Sequence, residues 1–397
     1  MIASIRQQYN EAFTDEAYRA FTKAISDSYG HTPSFHISET PIFIPNGLKV
    51  RLEQACEDIC SLFLRPDFKQ LSQAAIQPGQ EVPAETDHPN FIVIDFGICR
   101  DADGELTPQL VEVQGFPSLF CYQQLLADMY KAHFRAIPDH FTNLLGGHDR
   151  ESYLQLLRNI IIGNSQPEQV VLLELEPEKQ TTAIDFYATR AMLGIPFVCL
   201  SEIIREGKDL YYKNAAGKKV GIERIYNRII FDDLLARPDF PAGFQLTDDV
   251  DVQWVGHPNW FFRISKHTLP MLDSPYVPKS WFLDQLSAIP EDLSQYVLKP
   301  LFSFAGMGVI INPTVEDIMA VQDPSNYILQ RKMQYAPVVP TPDEPAKVEI
   351  RMMMVWEDGA PAPVLVNNLV RLSKGIMTGV RYNKDKTWVG GSVGFFG

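Results

Sequence analysis

The sequence has little cysteine, five residues in 397, which is too few for a disulfide framework. Cys56 and Cys60 stand four apart on a predicted helix, and no histidine lies near enough in sequence to complete a zinc set. Positive charge is also short: 35 Lys and Arg against 49 Asp and Glu leave a net charge of −14. That balance argues against broad binding to nucleic acid through its phosphates, although not against binding a nucleotide. Long apolar runs are missing. Residues 1–10 carry an arginine and glutamines where a signal or spanning segment needs apolar side chains. The reading is a cytoplasmic protein with no membrane partner. Several common motifs are absent as well: GxxxxGK(S/T), a GxGxxG between strand and helix, GxSxG and HExxH. What is present is ordinary globular composition, 45% hydrophobic and 21% charged, in a chain long enough for two or three modules.

The most informative stretch is 296–312, YVLKPLFSFAGMGVIIN. Tyr296-Val297-Leu298-Lys299-Pro300 reads as a buried strand, a loop with Ser303, Ala305, Gly306 and Gly308 follows, and Val309-Ile310-Ile311 reads as the returning strand. A buried ammonium needs a counter-charge. Glycines let backbone N–H groups approach an anion. The stretch is either a phosphate cradle or a tight hairpin with a snorkelling lysine.

Residues 1–80 read as mostly helical, with helices over 13–28 and 48–64 and an extended entry at 42–45. A turn-rich connector at 77–89 leads to Phe91-Ile92-Val93-Ile94-Asp95-Phe96. After an Asp-Ala-Asp-Gly turn comes Leu110-Val111-Glu112-Val113-Gln114. These read as two antiparallel strands carrying Asp95, Glu112 and Gln114, the last two on one face. Their oxygens suit Mg²⁺ held with substrate phosphates, or else form the polar face of an edge hairpin. Helices are predicted at 121–141 and 149–162. Then strand 170–173, helix 182–193 and strand 197–200 make a βαβ unit, the mark of a small parallel α/β domain. Arg228 lies inside the apolar run 225–230, where it answers either a ligand anion or a structural carboxylate. Residues 257–272 read as a helix carrying Lys266. A strand at 327–330 runs into Gln330-Arg331-Lys332-Met333. A strand at 348–356 places Glu349 and Arg351 on one face, and a strand at 364–370 precedes Arg371. The glycine-rich end, 390–397, reads as frayed.

The order of these features resembles the circularly permuted ATP-grasp ligases, most closely the glutathionylspermidine synthetase-type branch. In that branch the metal hairpin precedes the lysine hairpin, as Asp95 and Glu112-Val113-Gln114 precede Lys299 here. The phrase 111–118 is similar to its ExN-x-x-PS phrase, Tyr226-Asn227-Arg228 to its Y-R-R segment, and Arg351 through Arg371 to its R…PGGLxR stretch. Three departures stand out: Gln114 for asparagine, Asn367-Asn368 for the Gly-Gly pair, and Asn227 for the first arginine. The resemblance implies a mixed α/β (α+β) fold. Its parts would be a helical region (1–88), the metal hairpin and helices of the ATP-grasp core (89–165), a small α/β domain (166–285) and a nucleotide-binding lobe (286–397). It implies an ATP- and Mg²⁺-dependent ligase that joins a small-molecule carboxylate to an amine through an acyl phosphate. Lys266 and Lys299 would hold phosphates under a lid containing Ser303, Gly306 and Gly308. Gln330, Arg331, Lys332 and Met333 would form the adenine hinge. Asp95, Glu112 and Gln114 would bind Mg²⁺. Arg351 and Arg371 would stabilise the transferred phosphoryl group, and Arg228 would bind the acceptor carboxylate. The departures keep open a nucleotide-binding sensor without turnover, and a kinase that stops at phosphorylation is a third possibility.

Overall fold

The computed structural model describes residues 1–302, 308–375, 383 and 385–397. The largest sheet is antiparallel. Its order runs Gly390–Ser392, Val364–Ser373, Ala346–Val355, Phe91–Arg100, Leu106–Gln114, and Pro337–Val339 pairs alongside Ala346–Val355. Its central strands are buried on both faces, so they read as apolar runs rather than alternating ones. One face, with Ile92, Ile94, Met352 and Met354, packs on the helix Asn46–Phe63 through Leu48, Leu52 and Ile59. The other face begins apolar at Val93 and Met353, against the helix Phe120–His133. Two residues further along the same face it becomes ionic, at Asp95 and Arg351, which pair directly with each other and, through Asp95, with Glu112.

A second sheet is antiparallel: Ser280–Phe282, Tyr327–Arg331, Tyr296–Pro300, Ile310–Ile311. A third is parallel, in the order Gln253–Val255, Arg224–Asn227, Val170–Glu174, Phe197–Cys199. Helix Ala183–Leu193 makes its crossover and stops at Gly194, whose φ of 81° suits a left-handed cap. The βαβ expectation is met by this unit.

Three expectations fail for stated reasons. The helix predicted over 121–141 ends at His133. Phe134 is extended, and Pro138 would have forbidden continuation. The helix predicted over 257–272 is two short pieces, Asn259–Arg263 and the 3₁₀ turn Lys266–Met271, separated by extended Ile264 and Ser265. The frayed end is in fact core. Gly394–Phe396 pairs in parallel with Ile42–Ile44, and Phe395 is fully buried. The glycines there serve close approach: a Cβ on Gly390 would lie 2.4 Å from the His36 carbonyl oxygen.

Asn367 and Asn368 lie mid-strand and fully buried. Asn368 donates to the carbonyls of Asn143 and Gly394 at 2.9 Å each and accepts from the Gly394 amide at 2.7 Å. Asn368 therefore ties the strand Gly394–Phe396 to the sheet, while Asn367 Oδ1 accepts from Asn143 Nδ2 at 2.9 Å. Among the described residues no helix is long and apolar enough to cross a membrane.

Replacing Asn368 with alanine leaves three buried backbone groups without it, and should cost about 3 kcal/mol. The urea midpoint should fall with the m-value unchanged; an unshifted midpoint would show that water replaces these bonds.

Candidate active site

A bulge sets the geometry of the hairpin. Asp95 pairs with Glu112 but Phe96 pairs with Leu110, so Val111 is the extra residue. Its carbonyl meets Lys299 Nζ at 3.3 Å. Lys299 also donates to Gln330 Oε1 at 2.6 Å, and Gln330 Nε2 in turn donates to Ser280 Oγ at 3.1 Å. A lysine near the end of the buried strand Tyr296–Pro300 is thus held by neutral acceptors against the acidic hairpin. Burial pushes its ammonium down to about 8, although Glu112 pulls the other way. Lys266 is lowered by burial too, opposed by Glu112 and Asp232. Gly115 lets the hairpin's exit pass the short helix: a Cβ there would lie 2.5 Å from the Trp260 carbonyl oxygen.

The arginines sit beside this. Arg351 grips Asp95 with Nε and Nη2 at 2.6 and 2.7 Å. Arg371 bonds Asp95 as well and reaches Glu349 at 2.7 Å. Glu349 also accepts from the Tyr335 hydroxyl at 3.1 Å. Burial alone would raise the Asp95 carboxyl, but the two guanidiniums hold it well below the usual range. Glu112 is pushed the opposite way, by burial and by the Asp95 charge. Its side chain keeps 25% exposure, lies 4.0 Å from Arg351 and accepts from Gln114 Nε2 at 3.2 Å.

Asp95 therefore stands differently from the expected metal ligand: both its oxygens are engaged by arginines. Among the described residues no group of three or more His, Cys, Asp or Glu is arranged to hold a metal. Glu112 remains at 4.0 Å from Arg351, beside a Gln114 amide oxygen that accepts from Arg351 Nη2 at 3.5 Å, and Mg²⁺ is commonly held by one or two carboxylates together with substrate phosphates. The donor set fits an ion that arrives with a polyphosphate, not one caged by protein alone.

Other expected residues fall elsewhere. Arg228, at the end of a parallel strand, is 5% exposed and paired with Asp185 at 2.7 Å. The structural carboxylate is a partner it has through Nη1, while its Nε is buried with no hydrogen-bond partner among the described residues. The Gln330 side chain holds Lys299 and is itself held by Ser280. The Arg331 amide donates to the Lys279 carbonyl and the Lys332 amide to the Gln295 carbonyl, both at 2.8 Å. The Arg331 guanidinium lies over Tyr296, and Lys332 bonds Asn312. Met333 packs where a Cβ on Gly97 would clash. Gly308 turns with φ of 71° below Pro300. Ser303 and Gly306 lie outside the described residues. Sequence reading passed over Ser280, Tyr335 and Asp232. It also passed over Glu174, an acid closing an apolar run, 6% exposed and pushed up to about 8 by desolvation.

The architecture is that of a mixed α/β protein with a glutathione synthetase-like fold. The likeness is to the solved glutathione synthetase like-effector GSS30 from Globodera pallida, in apoform, with a TM-score of 0.60 and 13% identity; it covers 90% of this chain and 94% of that one. No protein-family model matches the sequence, and no curated protein does.

Asp95→Asn should destabilise the fold by about 3 kcal/mol, because Arg351 loses its close carboxylate and Arg371 is left with Glu349 alone. Adding Arg351→Met should recover part of the loss in a double-mutant cycle. A neutral or stabilising Asp95→Asn, as for a repulsive metal-free ligand cluster, would contradict the ion-pair assignment.

Proposed function

We propose that the chain is a carboxylate–amine ligase of the circularly permuted ATP-grasp type, working with ATP and Mg²⁺. One observation carries the reading: Lys299, from the last third of the chain, is hydrogen-bonded to the strand of the first third that carries Glu112. That is the meeting of cationic cradle and acidic hairpin that nucleotide clamping requires. Bound ATP would supply a phosphoryl group to a substrate carboxylate, and an amine attacking the acyl phosphate would give an amide, ADP and phosphate. The obstacle is bringing a carboxylate up to a polyphosphate. Lys299 and Lys266 would hold phosphate oxygens, and Glu112 with Gln114 would hold Mg²⁺ there. Arg351 and Arg371, pre-aimed by Asp95 and Glu349, would offset charge on the transferred group without reorganising. Asp95 acts as the positioner of both arginines.

A second reading, a nucleotide-binding protein without turnover, is favoured by Asp95 being fully engaged. The two readings separate in one assay. The ligase reading expects ADP release that requires both an added carboxylate and an added amine, and its abolition in Lys299→Ala. Mg²⁺-dependent ATP binding with no turnover across a broad acid and amine panel would select the second. Full activity in Lys299→Ala would remove both.

The pH dependence follows from Lys299. Its ammonium is present below about 8 and lost above it, so affinity for a non-hydrolysable ATP analogue should fall between about pH 7 and pH 9. The unfolded chain keeps that proton up to the ordinary lysine value of 10.5. The same group therefore adds stability as pH rises from about 8 to 10.5. Calorimetric titration and thermal melts should move in opposite directions; affinity flat to pH 9 would argue against Lys299 as the phosphate contact.

A further inference from the structure

Between the strands Tyr327–Arg331 and Pro337–Val339 the chain passes from the sheet that carries Lys299 to the large sheet that carries the arginines. Tyr335 stands at that crossing. It forms an antiparallel bridge with Cys99, and the next amide, that of Ala336, donates to the Ile98 carbonyl at 2.8 Å. Its ring lies against Gly97, where a Cβ would sit 2.6 Å from Cε1 and 2.8 Å from Cζ. Gly97 is inside the strand Phe91–Arg100, where no left-handed turn calls for glycine. The ring takes the place of its side chain.

Gly97 stands opposite Glu349 in the sheet, and Glu349 stands opposite Arg371. A ring seated on Gly97 therefore brings its hydroxyl to Glu349. The Tyr335 hydroxyl donates to Glu349 Oε2 at 3.1 Å, while Oε1 meets Arg371 Nη2 at 2.7 Å. A carboxylate held at one oxygen can turn about its last bond, whereas one held at both is fixed. Arg371 keeps 30% side-chain exposure against 8% for Arg351, so it is the arginine more open to an incoming anion. Burial and the Glu349 charge hold the Tyr335 hydroxyl well above the usual phenol range, so it stays a donor at neutral pH.

We propose that Tyr335 is a positioning residue for Arg371, acting through Glu349, and that Gly97 serves it by admitting its ring. The proposal rests on the ligase reading, in which Arg371 offsets charge on the transferred phosphoryl group. Tyr335 belongs to the segment that leaves the strand of Gln330. The same contact therefore ties the aim of Arg371 to the sheet that carries Lys299.

The test uses the full chain with Mg²⁺ and ADP, and with Mg²⁺, ADP and aluminium fluoride, which stands in for the transferred phosphoryl group. By calorimetric titration, Tyr335→Phe should weaken binding of the fluoride complex about tenfold and leave ADP binding within about twofold. In the ADP-release assay kcat should fall by about the same factor with KM for ATP unchanged. Gly97→Ala should give the same selective loss by displacing the ring. Added to Tyr335→Phe, it should lower the melting temperature without further loss of affinity for the fluoride complex. Should Gly97→Ala fail to fold, Tyr335→Phe decides alone. Equal loss of both ligands, the mark of a purely structural role, or no loss of either would overturn the proposal and leave the ligase reading in place. A parent chain that binds neither form would overturn the ligase reading and this assignment with it.

Discussion

The carboxylate of Asp95 is the constraint on which the rest depends. At 1% exposure it can carry charge only if cations reach it; Arg351 does so from the adjacent strand Ala346–Val355, and Arg371 from the strand beyond it, Val364–Ser373. Breaking such a buried arrangement costs several kcal/mol, comparable with much of a domain's net stability. The arrangement also fixes register. A slip of one residue between Phe91–Arg100 and Ala346–Val355 would turn Asp95 into the apolar layer of Ile94 and Met352. The ion pairs thus specify which side chains form the ionic row, and they aim both guanidiniums in advance.

The lysine side of the cleft is built on a different principle. Lys299 meets a bulged carbonyl and an amide oxygen, not a carboxylate at contact distance. Neutral acceptors orient an ammonium without cancelling its charge, so the attraction is kept for an incoming anion. The Gln330–Ser280 relay runs across the sheet, from the strand Tyr327–Arg331 to Ser280–Phe282. It ties the position of the charge to the pairing of three strands.

Much of this was legible in the sequence, because alternation declares which residues share a face. Period two put Glu112 with Gln114 and Glu349 with Arg351, the apolar run gave the lysine strand, and it was the resemblance that joined the two distant segments. What was not legible depended on partners far away in the chain. Nothing local to Asp95 announces that two arginines some 250 residues downstream will saturate it. Nothing local to Arg228 distinguishes Asp185 from a ligand carboxylate. Gln330 reads like a hinge residue, yet its side chain faces inward to Lys299. Asn367-Asn368 read as a departure from a Gly-Gly pair within a strand, and nothing local to them shows that the Asn368 amide will hold the strand Gly394–Phe396. Gly390–Ser392 and Gly394–Phe396 read as loose because glycine composition carries no record of which backbone will come close.

That closing strand has a kinetic consequence. Ser392 bonds to Thr40 across 352 positions of chain, and Gly394–Phe396 lies parallel to Ile42–Ile44. Loop-closure entropy grows only slowly with length, so the final state bears this connection easily. The search for it is another matter, since pairing of such high contact order is slow. During synthesis the strand Ile42–Ile44 must wait, its edge uncovered, until almost the whole chain has emerged. Chaperone dependence and truncation sensitivity would be concentrated at that seam rather than at the cleft around Lys299.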